Sequence, residues 1–482
     1  MAIEPTTWLV LDRAVGDLEG QIYRAFRTRI LGGALQAGAP LPSTRALAAA
    51  LGLARSTVVA GYDRLAAEGY VNAARGSATR VAPLPPPPQG AADGRSFAPV
   101  PPPGSPDPAR FLPLRPGLPD LEAFPRATWA RCLAARARAL RVHDLGYGDE
   151  QGLPILRAAV LDHVRRTRAV VADPAQVVIV PSTAAAVALL AGLVLAPGDA
   201  AWVEDPGYPT ARALLQRAGA RIAAVPVDVG GIDLSQAPAG PPPRLIHVTP
   251  SHQYPTGAAM SLARRLRLLD HAAACGALVV EDDYDSEFHY AGRPLASLQG
   301  LDERGCVAYL GTFSKVLAPG LRIAYAIVPP RLVAPMQAAV RLSGGTVPIH
   351  LQAAMADFLE EGHLNAHVRR MRKVYHARMV ETAERLDAVA AGRWRVGPVD
   401  GGLQLALWLA SRHHDDTALA RQLQDRGLGV LPLSGLFVGP AQPGLLIGVA
   451  TAQSPVIDRL AAALDALVLP SDSRDANHGC RI

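Results

Sequence analysis

Apolar positions along the chain follow two different rhythms, and the change between them divides the molecule. Near the N-terminus the spacing is helical. Leu18, Ile22, Phe26 and Ile30 recur every four residues and predict a helix over Leu18–Leu31. Ser43 stands as an N-cap before Thr44–Leu51, and Gly52 ends that second helix. Ser56 reads as the cap of a third helix, Thr57–Glu68, ended by Gly69. Tyr70–Val81 reads as two short extended pieces about a Gly76-Ser77 turn. Two helices joined by the short turn Leu51-Gly52-Leu53-Ala54, followed by a β-wing, make a winged helix-turn-helix.

Further along, the rhythm becomes near-continuous apolar runs separated by amphipathic stretches. The runs Val177–Val180, Ala201–Val203, Arg221–Val225, Arg244–Val248, Ala277–Glu281, Ala308–Leu310 and Ile323–Val328 read as strands. Helical stretches such as Ala184–Leu195 and Leu262–Cys275 fall between several of them. This is the signature of an α/β domain with a mainly parallel, seven-stranded sheet and helices on both faces. Ligands in such sheets bind at the carboxyl ends of the strands.

Between the two regions, residues 82–110 are crowded with proline and almost free of large apolar side chains, which predicts a semi-extended linker. In polyproline II form it would reach at most about 90 Å. The expected division is a head (1–81), the linker, a body (111–470) and a polar tail (471–482). A hydrophobic content of 49% excludes a wholly disordered chain. The most apolar runs, such as Val187–Ala196, are too short to span a bilayer. The N-terminus lacks a signal-peptide pattern, so the expectation is a cytoplasmic chain with no membrane partner. Cys132, Cys275, Cys306 and Cys480 lie far apart and suggest neither a disulfide framework nor a metal site.

Charge adds one sharp clue. The net charge is +6, but of 48 basic residues only Lys315 and Lys373 are lysines. A lysine amine can form a Schiff base and a guanidinium cannot. Lys315 lies just after a strand, in Gly311-Thr312-Phe313-Ser314-Lys315, with Arg322 seven residues on as a candidate phosphate ligand. The strand end Glu281-Asp282-Asp283-Tyr284-Asp285 offers a carboxylate for a protonated pyridine nitrogen and a phenol for a ring hydroxyl. Tyr208, in Asp205-Pro206-Gly207-Tyr208, offers a ring for stacking. In the head the net charge is only +3, and charge alone fits a solvated basic face. The placement of Arg45, Arg55, Arg75 and Arg80 at helix starts and on the wing is what suits DNA.

The ordered head pattern, Pro40-Leu41-Pro42-Ser43-Thr44-Arg45-Ala46-Leu47-Ala48 through Leu51-Gly52-Leu53-Ala54-Arg55-Ser56-Thr57-Val58 to Glu68-Gly69-Tyr70-Val71, resembles the GntR family of bacterial regulators. That resemblance implies DNA contacts by Ser43, Arg45, Arg55, Ser56, Thr57, Arg75 and the turn at Gly76. The body segments, in their order, resemble fold-type I aminotransferases that use pyridoxal 5′-phosphate (PLP), with a smaller C-terminal α+β lobe. Head and body together resemble the MocR family of regulators. The resemblance implies Lys315 as the internal-aldimine lysine, Asp282 on the pyridine nitrogen, Tyr284 on the ring hydroxyl and Tyr208 stacked on the ring. It implies Arg322, Ser182, Thr183 and Ser314 around the phosphate, with Tyr147 reaching it from the neighbouring subunit of a domain-swapped homodimer. The implied partners are operator DNA, a second copy of the chain, and PLP or a small amine as effector.

The departures from that pattern are informative. Thr183 stands where relatives usually carry glycine, and Ala184, Ala185 and Ala186 replace polar side chains. Each lost hydrogen bond to a charged phosphate costs roughly 1.5–3 kcal/mol. The position of the arginine that grips an α-carboxylate falls on Leu446 or a neighbour, and a second carboxylate arginine of GABA-sensing relatives falls on Thr210. These losses point away from an active aminotransferase and towards PLP itself as effector, with control of vitamin B6 synthesis. An amine or sulfonated amino acid sensed through PLP is the alternative.

Overall fold

The computed structural model describes residues 8–72, 78–84, 111–292 and 296–468. The chain separates into two compact units, residues 1–103 and 104–482. Arg75 and Gly76, most of the expected linker, the tail and Cys480 lie outside the described residues.

The first unit holds α1 (Leu18–Leu31), α2 (Thr44–Leu51), α3 (Arg55–Ala67) and the antiparallel pair β1 (Val71–Asn72) and β2 (Arg80–Val81). Ile22, Phe26, Ile30, Leu47, Val58, Tyr62 and Leu65 close one small core, with Phe26 edge-on to both Trp8 and Tyr62. Ser43 caps α2 as expected, its Oγ accepting from Ala46 N at 3.1 Å. Gly52 ends that helix at φ 61°, a left-handed conformation that glycine adopts without steric cost. The third helix departs from expectation. It begins at Arg55 after Ala54, so Ser56 lies inside the helix and caps nothing. Ala54 supplies no side-chain acceptor, and the first turn of α3 is left without a side-chain cap.

The second unit opens with α4 (Arg126–Arg138) and α5 (Pro154–Arg168), then alternates strands and helices: β3 (Val177–Val180), α6 (Thr183–Val194), β4 (Ala200–Asp205), α7 (Pro209–Arg217), β5 (Arg221–Asp228), β6 (Gly231–Ile232), β7 (Leu245–Val248), α8 (Leu262–Cys275), β8 (Leu278–Asp283), α9 (Leu298–Leu301), β9 (Val307–Thr312) and β10 (Ala324–Ile327). The sheet order is β3-β10-β9-β8-β7-β4-β5-β6. All seven expected strands are present. The sheet has eight strands rather than seven because the two-residue β6 pairs antiparallel to the end of β5. The run from β9 through β8, β7 and β4 to β5 is parallel, whereas β10 is antiparallel to both β3 and β9. Cores form on both faces. Val178, Val180, Leu190, Leu310 and Val340 pack in one cluster; Leu156, Val160, Ile179, Tyr325 and Phe358 pack in another. The helices α10 (Pro330–Ser343) and α11 (Ile349–Glu360) cover the sheet, and α12 (His363–Ala388) leads on to a smaller lobe. There β11 (Trp394–Val396), β12 (Gln404–Leu409), β13 (Leu431–Pro432) and β14 (Gly444–Gly448) form an antiparallel sheet in the order β11-β12-β14-β13, backed by α13 (Asp416–Asp425) and α14 (Ser454–Leu467). No helix among the described residues is long and apolar enough to cross a membrane.

The first residues of the second unit lie along this lobe. Gly429 N donates to Pro113 O (2.7 Å) and Gly448 N to Leu114 O (2.8 Å). The approach is close enough that a Cβ on Gly448 would sit 2.2 Å from Arg115 O.

Candidate functional site

Two sites emerge, one in each unit. In the first unit the N-termini of α2 and α3 are tied together by Arg55 Nε, which donates to Thr44 Oγ1 at 3.3 Å. Ser43, Arg45, Arg55 and Ser56 are all exposed there, and Thr57 is half-buried. Tyr62 holds the approach to α2 by donating to Pro42 O at 3.1 Å. The absent cap on α3 acquires a use in this setting. Thr57 N donates to Ala54 O, which leaves the N–H groups of Arg55 and Ser56 available to an anion.

In the second unit, the carboxyl ends of β4, β7, β8 and β9 and the start of α6 surround a cavity of about 380 Å³. Lys315, Asp282, Tyr284, Tyr208, Ser182, Thr183, Ser314 and Arg322 all line it. Tyr147 does not. It is fully exposed on the single chain.

Each acid at the carboxyl end of β8 has its own assignment, and only one faces the cavity with a spare oxygen. Glu281 accepts from Leu298 N and Gln299 N at the start of α9, and burial pushes its carboxyl up to about 7. Asp283 takes Arg168 Nε at 2.8 Å and the Tyr309 hydroxyl at 2.6 Å. Asp285 faces His252 Nδ1 at 3.2 Å. Asp282 lines the cavity and is 4% exposed, yet its Oδ1 has no hydrogen-bond partner. Its Oδ2 lies 3.6 Å from His247 Nε2, which is also unpartnered.

Lys315 is held by donating from Nζ to Gly117 O at 2.7 Å. Burial lowers the pKa of this amine, against the opposing pull of Asp285 and Asp282. The Tyr284 hydroxyl sits 3.1 Å from His252 Nδ1 and accepts from Gln404 Nε2 at 3.2 Å. Burial, then the nearby Asp285, raises its pKa well above the usual phenol value. Tyr208, Tyr254 and Tyr284 form an edge-to-face series, with centroids 5.6 and 6.2 Å apart. Beneath them buried Glu204, its pKa raised by desolvation, accepts from Thr249 Oγ1 at 2.5 Å. Ser182 caps α6, its Oγ accepting from Ala185 N at 3.1 Å, and Thr183 is the first helical residue. Arg322 adopts φ 52° at the end of a 3-10 turn.

Arg115, Gly117, His247 and Gln404 were not singled out by the sequence, because each meets the site across a long separation. The bond from Lys315 to Gly117 spans 198 residues. Leu446, at the expected carboxylate-arginine position, is fully buried among Trp408, Leu433 and Leu436. Arg212 donates to Phe437 O and Arg341 pairs with Glu150. Neither lines the cavity.

The arrangement is that of a regulator built from a DNA-binding head and an aminotransferase-type body. Residues 18–81 match the bacterial regulatory proteins of the gntR family, and residues 126–464 match aminotransferase class I and II. The chain belongs to the GntR-type helix-turn-helix regulators that carry such a body. It is 40% identical over 455 residues to a probable rhizopine catabolism regulatory protein, MocR, of Rhizobium meliloti, covering 92% of both chains. It is 34% identical to the pyridoxine biosynthesis regulator PdxR of Corynebacterium glutamicum, covering 89% of this chain and 91% of that one. Among solved structures, α-aminoadipate aminotransferase LysN of Thermus thermophilus, complexed with N-(5′-phosphopyridoxyl)-L-leucine, superposes with a TM-score of 0.66 at 27% identity. It covers 74% of this chain and 92% of that one.

Proposed function

We propose that this chain is a PLP-binding transcriptional regulator acting in the cytoplasm, with PLP itself as effector and vitamin B6 synthesis genes as target. The observation that carries the cofactor reading is the unpartnered, buried Asp282 Oδ1 in the same cavity as a desolvated lysine amine. The residues fit the group. Asp282 would accept from the ring nitrogen, Tyr284 would meet the ring hydroxyl, Tyr208 would cover the ring, and Lys315 would bond to the aldehyde carbon. Ser182, Thr183, Ser314, Arg322 and the open amides at the start of α6 would take the phosphate. When bound, PLP supplies an electrophilic aldehyde for a reversible bond to an amine. The chain's own share is to keep Lys315 desolvated, so that the amine gives up its proton more readily, and to hold the ring nitrogen's charge at Asp282.

PLP as effector is supported by what the cavity omits. Leu446 is buried in an apolar cluster and Thr210 replaces the second arginine, so a substrate carboxylate has no two-pronged partner at either position. The amine or sulfonated amino acid reading is favoured by one feature, the presence of Arg115 in the cavity wall. Fully exposed Tyr147 suits a site completed by a second copy of the chain. In the head, Arg45 and Arg55 would meet DNA with Ser43, Ser56 and Thr57, and the open start of α3 would face a phosphate.

The test is fluorescence anisotropy of the protein on its own upstream DNA with and without PLP. A shift in affinity with PLP that is lost in Lys315→Ala supports the reading. Specific DNA binding indifferent to PLP, but responsive to an added amine in PLP-loaded protein, would move the effector to the amine class.

A further inference from the structure

A second cleft, of about 500 Å³, lies between the last turn of α5 and the first half of α12. It is separate from the Lys315 cavity and shares no lining residue with it. Its walls carry Arg165 and Arg166 from α5 and Arg369 and Arg372 from α12, with Asn365 between them. Arg369 and Arg372 stand three residues apart and so share one face of the helix.

The state of these side chains matters more than their number. Arg369 is exposed and makes no hydrogen bond or ion pair among the described residues. Arg372 and Arg165 each donate to one backbone oxygen, of His289 and Ala172, which leaves most of their N–H groups unused. Arg166 pairs only with Asp162, an exposed i, i+4 contact of small worth. A second observation points the same way. His163 lines the cleft and is 3% exposed, yet its Nε2 has no hydrogen-bond partner. Its nearest acid, Glu287 Oε1, lies 3.6 Å away. The end of α5 brings the negative pole of a helix, equivalent to about half a charge. Four guanidinium groups outweigh that pole and Glu287 together.

We propose that this cleft is a binding site for a small phosphorylated anion of the pyrophosphate or phosphate-ester class. The volume suits such a molecule, and guanidinium forks match phosphate oxygens in pairs. The cleft adjoins the machinery of the other site. Ser286 and Glu287 in its wall follow Tyr284 and Asp285 directly, and Arg168, also in the wall, is bonded to Asp283 beside Asp282. Binding of the anion stands independently of whether PLP occupies the first cavity.

The experiment is titration calorimetry of the full chain with inorganic pyrophosphate at low ionic strength, with and without PLP. The expected result is saturable binding in both forms. Arg369→Glu should raise the dissociation constant tenfold or more, with Arg369→Lys much nearer the parent. Arg217→Glu, an exposed charge reversal outside the cleft, should leave it unchanged. Because Arg369 is exposed, the variants should retain the parent circular dichroism and thermal midpoint. Absence of saturable heat, or equal affinity in Arg369→Glu, would overturn the proposal. So would a face that binds duplex DNA through Arg369 but no pyrophosphate, which would make it a nucleic-acid surface.

Discussion

Replacing Asp282 gives a graded test of the cofactor site. The carboxyl is buried, and its Oδ1 is unsatisfied while Oδ2 has only His247 Nε2 at 3.6 Å. Very little protein structure depends on it. A hydrogen bond to a charged group contributes about 1.5–3 kcal/mol, and a neutral one about 0.5–1.5 kcal/mol. Asp282→Asn keeps the shape and an acceptor but loses the charge, so PLP affinity should fall by about 1–1.5 kcal/mol, roughly five- to twelvefold. Asp282→Ala loses the bond itself, about 1.5–3 kcal/mol or roughly ten- to 150-fold. Thermal midpoints of the cofactor-free proteins should not fall in the Asn variant, because no satisfied partner is lost. The assay is titration of cofactor-free protein with PLP, read by absorbance, beside thermal melts. Affinities within threefold of the parent in both variants would refute the placement of Asp282 on the ring nitrogen. A fall in affinity that merely tracks a lower midpoint would refute it equally.

Other expectations follow from the same geometry. Lys315 has a folded-state pKa below its unfolded value, so the unfolded chain binds more protons between the two values and stability rises with pH across that window. Lys315→Met should therefore raise the cofactor-free thermal midpoint near pH 7, by an amount that shrinks as pH nears 10.5, the ordinary lysine value; a midpoint gap independent of pH would contradict this. Gly448→Ala should push into Arg115 O and cost about 1–3 kcal/mol in urea unfolding, with weaker PLP uptake as the 115–117 segment shifts. Ser43→Ala should remove the cap on α2 and lower head stability by about 1 kcal/mol, measured by circular dichroism melts. Arg55→Ala should weaken operator binding and reduce its salt slope by about one, while PLP uptake stays unchanged.

What the sequence reveals depends on whether the signal is local. Ser43, Gly52 and the strand runs are legible because caps and apolar periodicity are set by near neighbours. The start of α3 is misread for the same reason. Ser56 looks like a cap, but the helix begins at Arg55, two residues earlier than expected, behind an alanine that offers no acceptor. The two-residue β6 carries too little pattern to register and exists through its pairing with β5. Lys315, Asp282, Tyr284 and Tyr208 are legible as motifs at strand ends. Gln404 and Gly117, by contrast, reach Tyr284 and Lys315 across 120 and 198 residues, and no spacing rule encodes such meetings. The division of labour among the acids at the end of β8 is hidden in the sequence as well, because it depends on which oxygen each neighbour already occupies.

The bond between Lys315 and Gly117 sets a donor count. A protonated lysine offers three N–H groups, a neutral one two, and a nitrogen doubly bonded to carbon at most one. Gly117 O takes its hydrogen from that nitrogen, three residues after Leu114 is pinned to Gly448. Covalent capture of the amine, as proposed for PLP, would thus remove donors from the Gly117 carbonyl. That carbonyl lies near the start of the second compact unit. The amine of Lys315 is thereby also a latch on the backbone at Gly117, where a change in its chemical state would be felt first.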